Sequence, residues 1–186
     1  GCSYNSTSLE DFAIIRYEPV AGGEDWVRFL DGTAHIKDSA VAVEVDNLGK
    51  IHVAGNISNS GTGLDMAVAK YDTLGNYEGV QTFSATATST ERVRAMQVRN
   101  GGSYVVGYTS SGGSDVDMVS MKTGDWVRTF NGPANSFDDG QDIILDRSGN
   151  IYVCGYSAYS GISNLDYATI RYSFLYLRPL IVVAYS

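Results

Sequence analysis

Four phrases headed by aspartate recur along the chain: DFAIIRY from Asp11, DMAVAKY from Asp65, DMVSMKT from Asp117 and DYATIRY from Asp166. They stand 54, 52 and 49 residues apart. A second column keeps the same period: GKIHVAG (49–55), GGSYVVG (101–107) and GNIYVCG (149–155). A third phrase, WVRFLDG at 26–32, returns as WVRTFNG at 126–132, two periods later. Self-similarity at a fixed period restricts the fold to an array of supersecondary units, each stacked on the next.

Each unit holds four strand-like runs. In the first, SAVAVEVD, Val41, Val43 and Val45 alternate with Ala40, Ala42 and Glu44, the period-two pattern of a half-buried strand. A turn, DNLG or DRSG, leads into the second run, KIHVAG or NIYVCG. A Gly/Ser/Asn loop follows, then the aspartate phrase, then a fourth run such as DWVRTFNG. Four antiparallel strands every fifty residues or so describe a β-propeller blade. The composition agrees, because 21 glycines against 3 prolines serve many short strands and tight turns. The strict alternation excludes helical solenoids, and no long helix is expected.

The order D-x-x-G-N-I-Y-V-x-G, D-Y-A-T-I-R-Y, W-V-R-x-F-x-G resembles the bacterial seven-bladed β-propeller repeat, SBBP, from residue 1 to about residue 172. The resemblance implies an all-β propeller with SAVAVEVD innermost and WVRTFNG outermost. It also implies a bacterial secreted or cell-surface setting, and no shared catalytic activity. Two phrases depart from the pattern: GVQTFSA stands where the tryptophan phrase is due, and MKT stands where a basic residue and Tyr are due.

Aligning Gly1 with Gly155 divides the chain into a half blade (1–32) and blades at 33–85, 86–132 and 133–186, the last with a divergent C-terminal strand at 173–186. About three and a half blades make an arc, and an open arc exposes unpaired edges and apolar faces. Two arcs would supply seven blades, so a homodimer is the expected partner arrangement. The alternative is a fragment of a longer propeller protein. The apolar run LIVVAY (180–185) has no evident partner within its own arc and is expected to pair with another chain.

A net charge of −8, with 13 basic residues scattered singly, excludes nucleic acid, whose phosphates need a basic patch. Insertion into a membrane is not expected, since the C-terminal apolar run is short and contains Arg178 and Pro179. Cys2 and Cys154 form neither a disulfide framework nor a zinc site.

Residues present in every unit serve the unit, so Asp11, Asp65, Asp117 and Asp166 are read as loop braces, and Asp46 and Asp146 as turn formers. Cys154 falls in the column of Ala54 and Val106 and reads as a small buried residue. His52 falls in the column of Tyr104 and Tyr152 and reads as an aromatic-like sheet residue, while His35 lies in a loop. No Ser-His-Asp or Cys-His arrangement is evident. One acidic cluster is not repeated: Asp138, Asp139 and Asp142 in FDDGQD are candidate calcium ligands, the one cofactor to consider. The loops between second and third strands are rich in Tyr, Ser, Gly and Asn, the composition of adaptable recognition surfaces. Tyr4, Asn5, Asn56, Asn59, Tyr108, Tyr156, Tyr159 and Asn164 are therefore the candidate ligand-binding residues, for a glycan or a protein. The preferred function is a non-enzymatic module for binding or surface scaffolding. The alternative is a polysaccharide lyase or hydrolase, which needs an acid/base pair unique to one blade.

Overall fold

A computed structural model of the chain describes residues 2–3, 10–111, 115–160, 164–172 and 179–183. Among these residues every regular element is a strand. The opening sheet has three strands in the order β1 (Cys2–Ser3), β2 (Asp11–Tyr17), β3 (Glu24–Leu30). The first full blade holds β4 (Ser39–Val45), β5 (Ile51–Asn59), β6 (Gly63–Tyr71) and β7 (Tyr77–Phe83). The second holds β8 (Thr90–Arg99), β9 (Gly102–Ser110), β10 (Val116–Lys122) and β11 (Trp126–Phe130). The third holds β12 (Asp138–Leu145), β13 (Ile151–Ala158), β14 (Leu165–Tyr172) and β15 (Pro179–Val183). Neighbouring strands within each sheet are antiparallel and follow chain order. The chain is all-β and built of propeller-like blades.

One expectation is corrected. The apolar tail does have a partner in its own arc: β15 runs antiparallel to β14, with Val183 opposite Ala168 and Pro179 opposite Tyr172. The edge of β14 offers unpaired backbone groups, and a run rich in β-branched residues satisfies them at once. Residues 173–178 and 184–186 of the expected divergent strand lie outside the described residues.

The repeated phrases mark steric and hydrogen-bonding requirements. In the D-x-x-G turns, Asp46 Oδ1 accepts the N–H groups of Leu48 and Lys50, each at 2.9 Å. Asp146 Oδ1 does the same for Ser148 and Asn150 at 2.8 and 2.9 Å. Gly49 and Gly149 complete these turns with φ of 79° and 83°, in the left-handed region where a side chain is strained. Gly55, Gly107 and Gly155 end the second column for another reason. Each faces the innermost strand where that strand carries a β-bulge. A Cβ there would overlap the carbonyl oxygen of Ser39, Arg92 or Asp139 respectively.

The blades stack face to face through three apolar clusters, one per interface. The tryptophans belong to the first and last of these. Trp126 heads the outermost strand of its blade and rests on Tyr172, which ends the third strand of the next, with ring centroids 5.8 Å apart. Trp26 likewise packs on the cluster containing Tyr71. The two departures from the pattern meet at the middle interface. Gly79 lies opposite Lys70 as Trp126 lies opposite Lys122, and Thr123 donates its N–H to Ser103 O where Tyr71 and Tyr172 oppose Ile51 and Ile151. The missing tryptophan and the missing tyrosine are two sides of one contact.

The innermost strands are joined by side-chain acceptors. Glu44 Oε2 accepts the Val98 N–H at 2.6 Å, and one period on Gln97 accepts the Leu145 N–H. Ile144 occupies the next place in that column and is 54% exposed. At the other end, β1 pairs with β2 over two residues only, through Phe12 and Asp11. Beside the rest of β2 runs an apolar groove of about 570 Å³, lined by Ile15, Phe29, Val41 and Val43 among others.

Candidate functional site

Loops between second and third strands meet the inter-blade loops on one face. Thr33 donates from its N–H and its hydroxyl to Asn59 Oδ1, both at 3.2 Å, and Ser60 N–H donates to Thr33 Oγ1 at 2.9 Å. The candidate recognition residues divide on this face. Asn56 is turned inward: its Oδ1 accepts the Val93 N–H at the β8 bulge (2.8 Å) and its amide donates to Ser39 Oγ (3.2 Å). It pins one blade to the next instead of facing solvent, because a bulged strand leaves an N–H that needs an acceptor. Asn59 donates to Asp65 Oδ2 at 2.8 Å and is spent on loop closure. Tyr108 is half-buried beneath the Arg94 guanidinium, 5.2 Å from its ring centroid. Tyr156, Tyr159 and Asn164 are exposed, and Tyr159 N–H closes their loop on Asn164 O at 3.1 Å. Tyr4 and Asn5 lie outside the described residues. Sequence reading missed Tyr167, which lies directly opposite Tyr156 in the ladder and is 60% exposed. Its position in a repeated strand phrase concealed it.

The acidic candidates do not converge. Asp138 is fully buried, and its Oδ2 accepts the Gly132 N–H at 2.7 Å. One hundred residues earlier Asp38 does the same for Gly32 at 2.7 Å, and its Oδ1 also takes the Ser58 N–H at 2.6 Å. Burial pushes both carboxyls above the ordinary aspartate value, against the pull of these N–H groups. Asp138 is thus a repeated latch that closes each tryptophan phrase on the following blade. Asp139 instead forms an ion pair with Arg94, at 2.8 Å from Nη2 and 3.1 Å from Nε. Asp142 is exposed and accepts the Ile143 N–H. Among the described residues, the carboxylates that do cluster are Asp11, Asp31 and Asp38, within 4.8 Å of one another. There Asp38 is engaged as above, and Asp31 faces His35 Nδ1 at 2.5 Å.

A Ser–His–Asp set does occur, contrary to the reading from sequence. His52 Nδ1 lies 2.7 Å from Ser103 Oγ, and its Nε2 lies 3.3 Å from Asp46 Oδ2. With the imidazole N–H directed at the carboxylate, Ser103 donates to Nδ1. The order mimics a nucleophilic relay, but His52 is fully buried and Ser103 is 1% exposed, so no substrate carbonyl reaches the hydroxyl. The set is a joint between blades. Tyr152, one column-mate of His52, makes the corresponding bond from its hydroxyl to Asp146 Oδ2 at 3.3 Å. Burial pushes the His52 pKa down, against the opposing hydrogen bond to Asp46. Cys154 is a half-buried free thiol on the outward side of β13, more open than its column suggests.

What remains exposed near the loop face is a set of aromatic rings, Tyr156, Tyr159 and Tyr167, while Arg94 is held over Tyr108 by Asp139. No curated protein matches the chain. A family model does match it, from the last strand of the second blade through the second strand of the third: residues 125–158 match the model of the SBBP beta-propeller repeat.

Proposed function

We propose that the chain is a non-enzymatic β-propeller module for binding or surface scaffolding, and that its ring is completed by a second copy. The observation that carries the reading is the apolar character of both ends of the arc. At one end Ile15, Phe29, Val43 and Val45 are 45–62% exposed. At the other, Ile144, Tyr156 and Tyr167 are 48–60% exposed, in positions whose counterparts between blades are covered. Monomeric surfaces seldom leave such patches open. Joining the two ends head to tail buries both and closes a two-fold ring. The loop-face residues left outside the joint, Tyr159 and Asn164, then supply the recognition surface, with a glycan or a protein as ligand.

Light scattering of the purified chain tests the closure. The expected mass is twice the 20.0 kDa of one chain. Ile144→Lys places a charge in the joint and should return the mass to that of the monomer. A monomer at micromolar concentration for the unaltered chain would refute ring closure by a second copy.

A further inference from the structure

The middle blade interface lacks the Trp–Tyr contact that fills the last one, and a cavity of about 400 Å³ stands there. Its walls include Val68, Lys70, Gly79, Gln81, Gly102 and Thr123. Gly79 and Thr123 are the two residues that replace the expected tryptophan and tyrosine. We propose that this cavity is a binding site for a small planar aromatic molecule of the indole or phenol class.

Four features select that chemistry. The volume lies within the range of small-molecule pockets, roughly 300–1,000 Å³. Its position is the one that an indole stacked on a phenol occupies one interface further on, with Trp126 buried to 7% exposure. Lys70, whose Nζ donates to Gly101 O at 3.1 Å, brings a cation to the wall. Other cations in its column ride on the ring of their cross-strand neighbour, Lys122 Nζ 5.9 Å from the Tyr104 centroid and Arg171 5.8 Å from that of Tyr152, whereas Lys70 lies opposite His52 and turns its ammonium to the cavity wall. A ring bound beside that ammonium gains a cation–π attraction. Gln81 and the backbone of Gly101 and Gly102 supply hydrogen-bonding groups for an indole N–H or a phenol O–H.

The test titrates indole, and separately phenol, into the full chain by calorimetry. One molecule is expected to bind per chain and to raise the melting temperature. Thr123→Tyr restores the missing ring, so it should raise the melting temperature of the free protein and weaken indole binding by at least about tenfold. Lys70→Met keeps the space and removes the cation, and should weaken binding about two- to fivefold. Gln81→Phe fills the cavity from the opposite wall and repeats the blocking test if Thr123→Tyr does not fold. No heat at about 1 mM indole overturns the proposal. So does equal binding by the unaltered chain and a folded blocking variant, because the ligand then lies elsewhere, as in the groove beside β2.

Discussion

At the residue scale, single positions show why the columns repeat. Gly107 faces the Arg92 carbonyl so closely that Gly107→Ala must push the bulged strand away, at a cost of at least about 2 kcal/mol. Urea unfolding would measure it, and an unchanged midpoint would contradict the close approach. His52 makes a different forecast, through pH. Its folded pKa lies below the unfolded value, so its contribution to stability is complete above the ordinary imidazole pKa and is lost as pH falls through the folded one. The groups facing it are Asp46, Lys70, Glu44 and Ser103. Thermal melts between about pH 8 and about pH 5 should show stability declining on the acid side, with a shallower decline for His52→Gln. Equal slopes would remove His52 as the cause. Much of this scale was legible beforehand: a glycine or aspartate present in every unit had to serve the unit. The inward turn of Asn56 was not, because its partner is a bulge N–H 37 residues away, and no local pattern announces a bulge.

At the element scale, strands were readable and their joints only partly so. Alternating Val and Ala in β4 showed a strand, but the acceptors running from one inner strand to the next could not be seen without its neighbour. Glu44→Leu should strand the Val98 N–H between blades and cost about 1–3 kcal/mol. Hydrogen exchange at Val98 should quicken markedly, while that at Val53, within β5, should change only with global stability. Asp38→Ala removes the acceptor for both Gly32 and Ser58, so its cost should exceed that of Glu44→Leu. A smaller cost would mean that the latch is dispensable. The tail shows the limit of sequence reading in the other direction. Lacking the turn glycine and the tryptophan of its siblings, it offered no motif, yet the exposed edge of β14 was enough to recruit it. The acidic cluster misled for a related reason: consecutive strand residues point to opposite sides, so neighbours in sequence took unrelated partners.

At the scale of the whole molecule, the described residues pack blade on blade through three apolar interfaces, and cohesion is a sum of interface contributions. The opening sheet has one such interface, fewer strands and an uncovered groove. It should therefore open first, and amides of residues 12–16 should exchange before those of 53–57 or 105–107 under native conditions. Ring closure would reverse that order by covering the free end, so exchange measured above and below the association midpoint separates the two states. The interface without its aromatic pair has one more consequence, for assembly. A chain of near-identical units can dock blades in the wrong sequence while folding, since every face offers similar apolar chemistry. Here the faces differ. An outer strand carrying Trp126 expects a tyrosine across from it, whereas the one carrying Gly79 meets a threonine. If the second and third blades exchanged places, Tyr172 would face a glycine and Trp126 would lose its ring partner. The irregular repeat thus keys the order of the blades, as a single mismatched tooth does in a set of otherwise interchangeable gears.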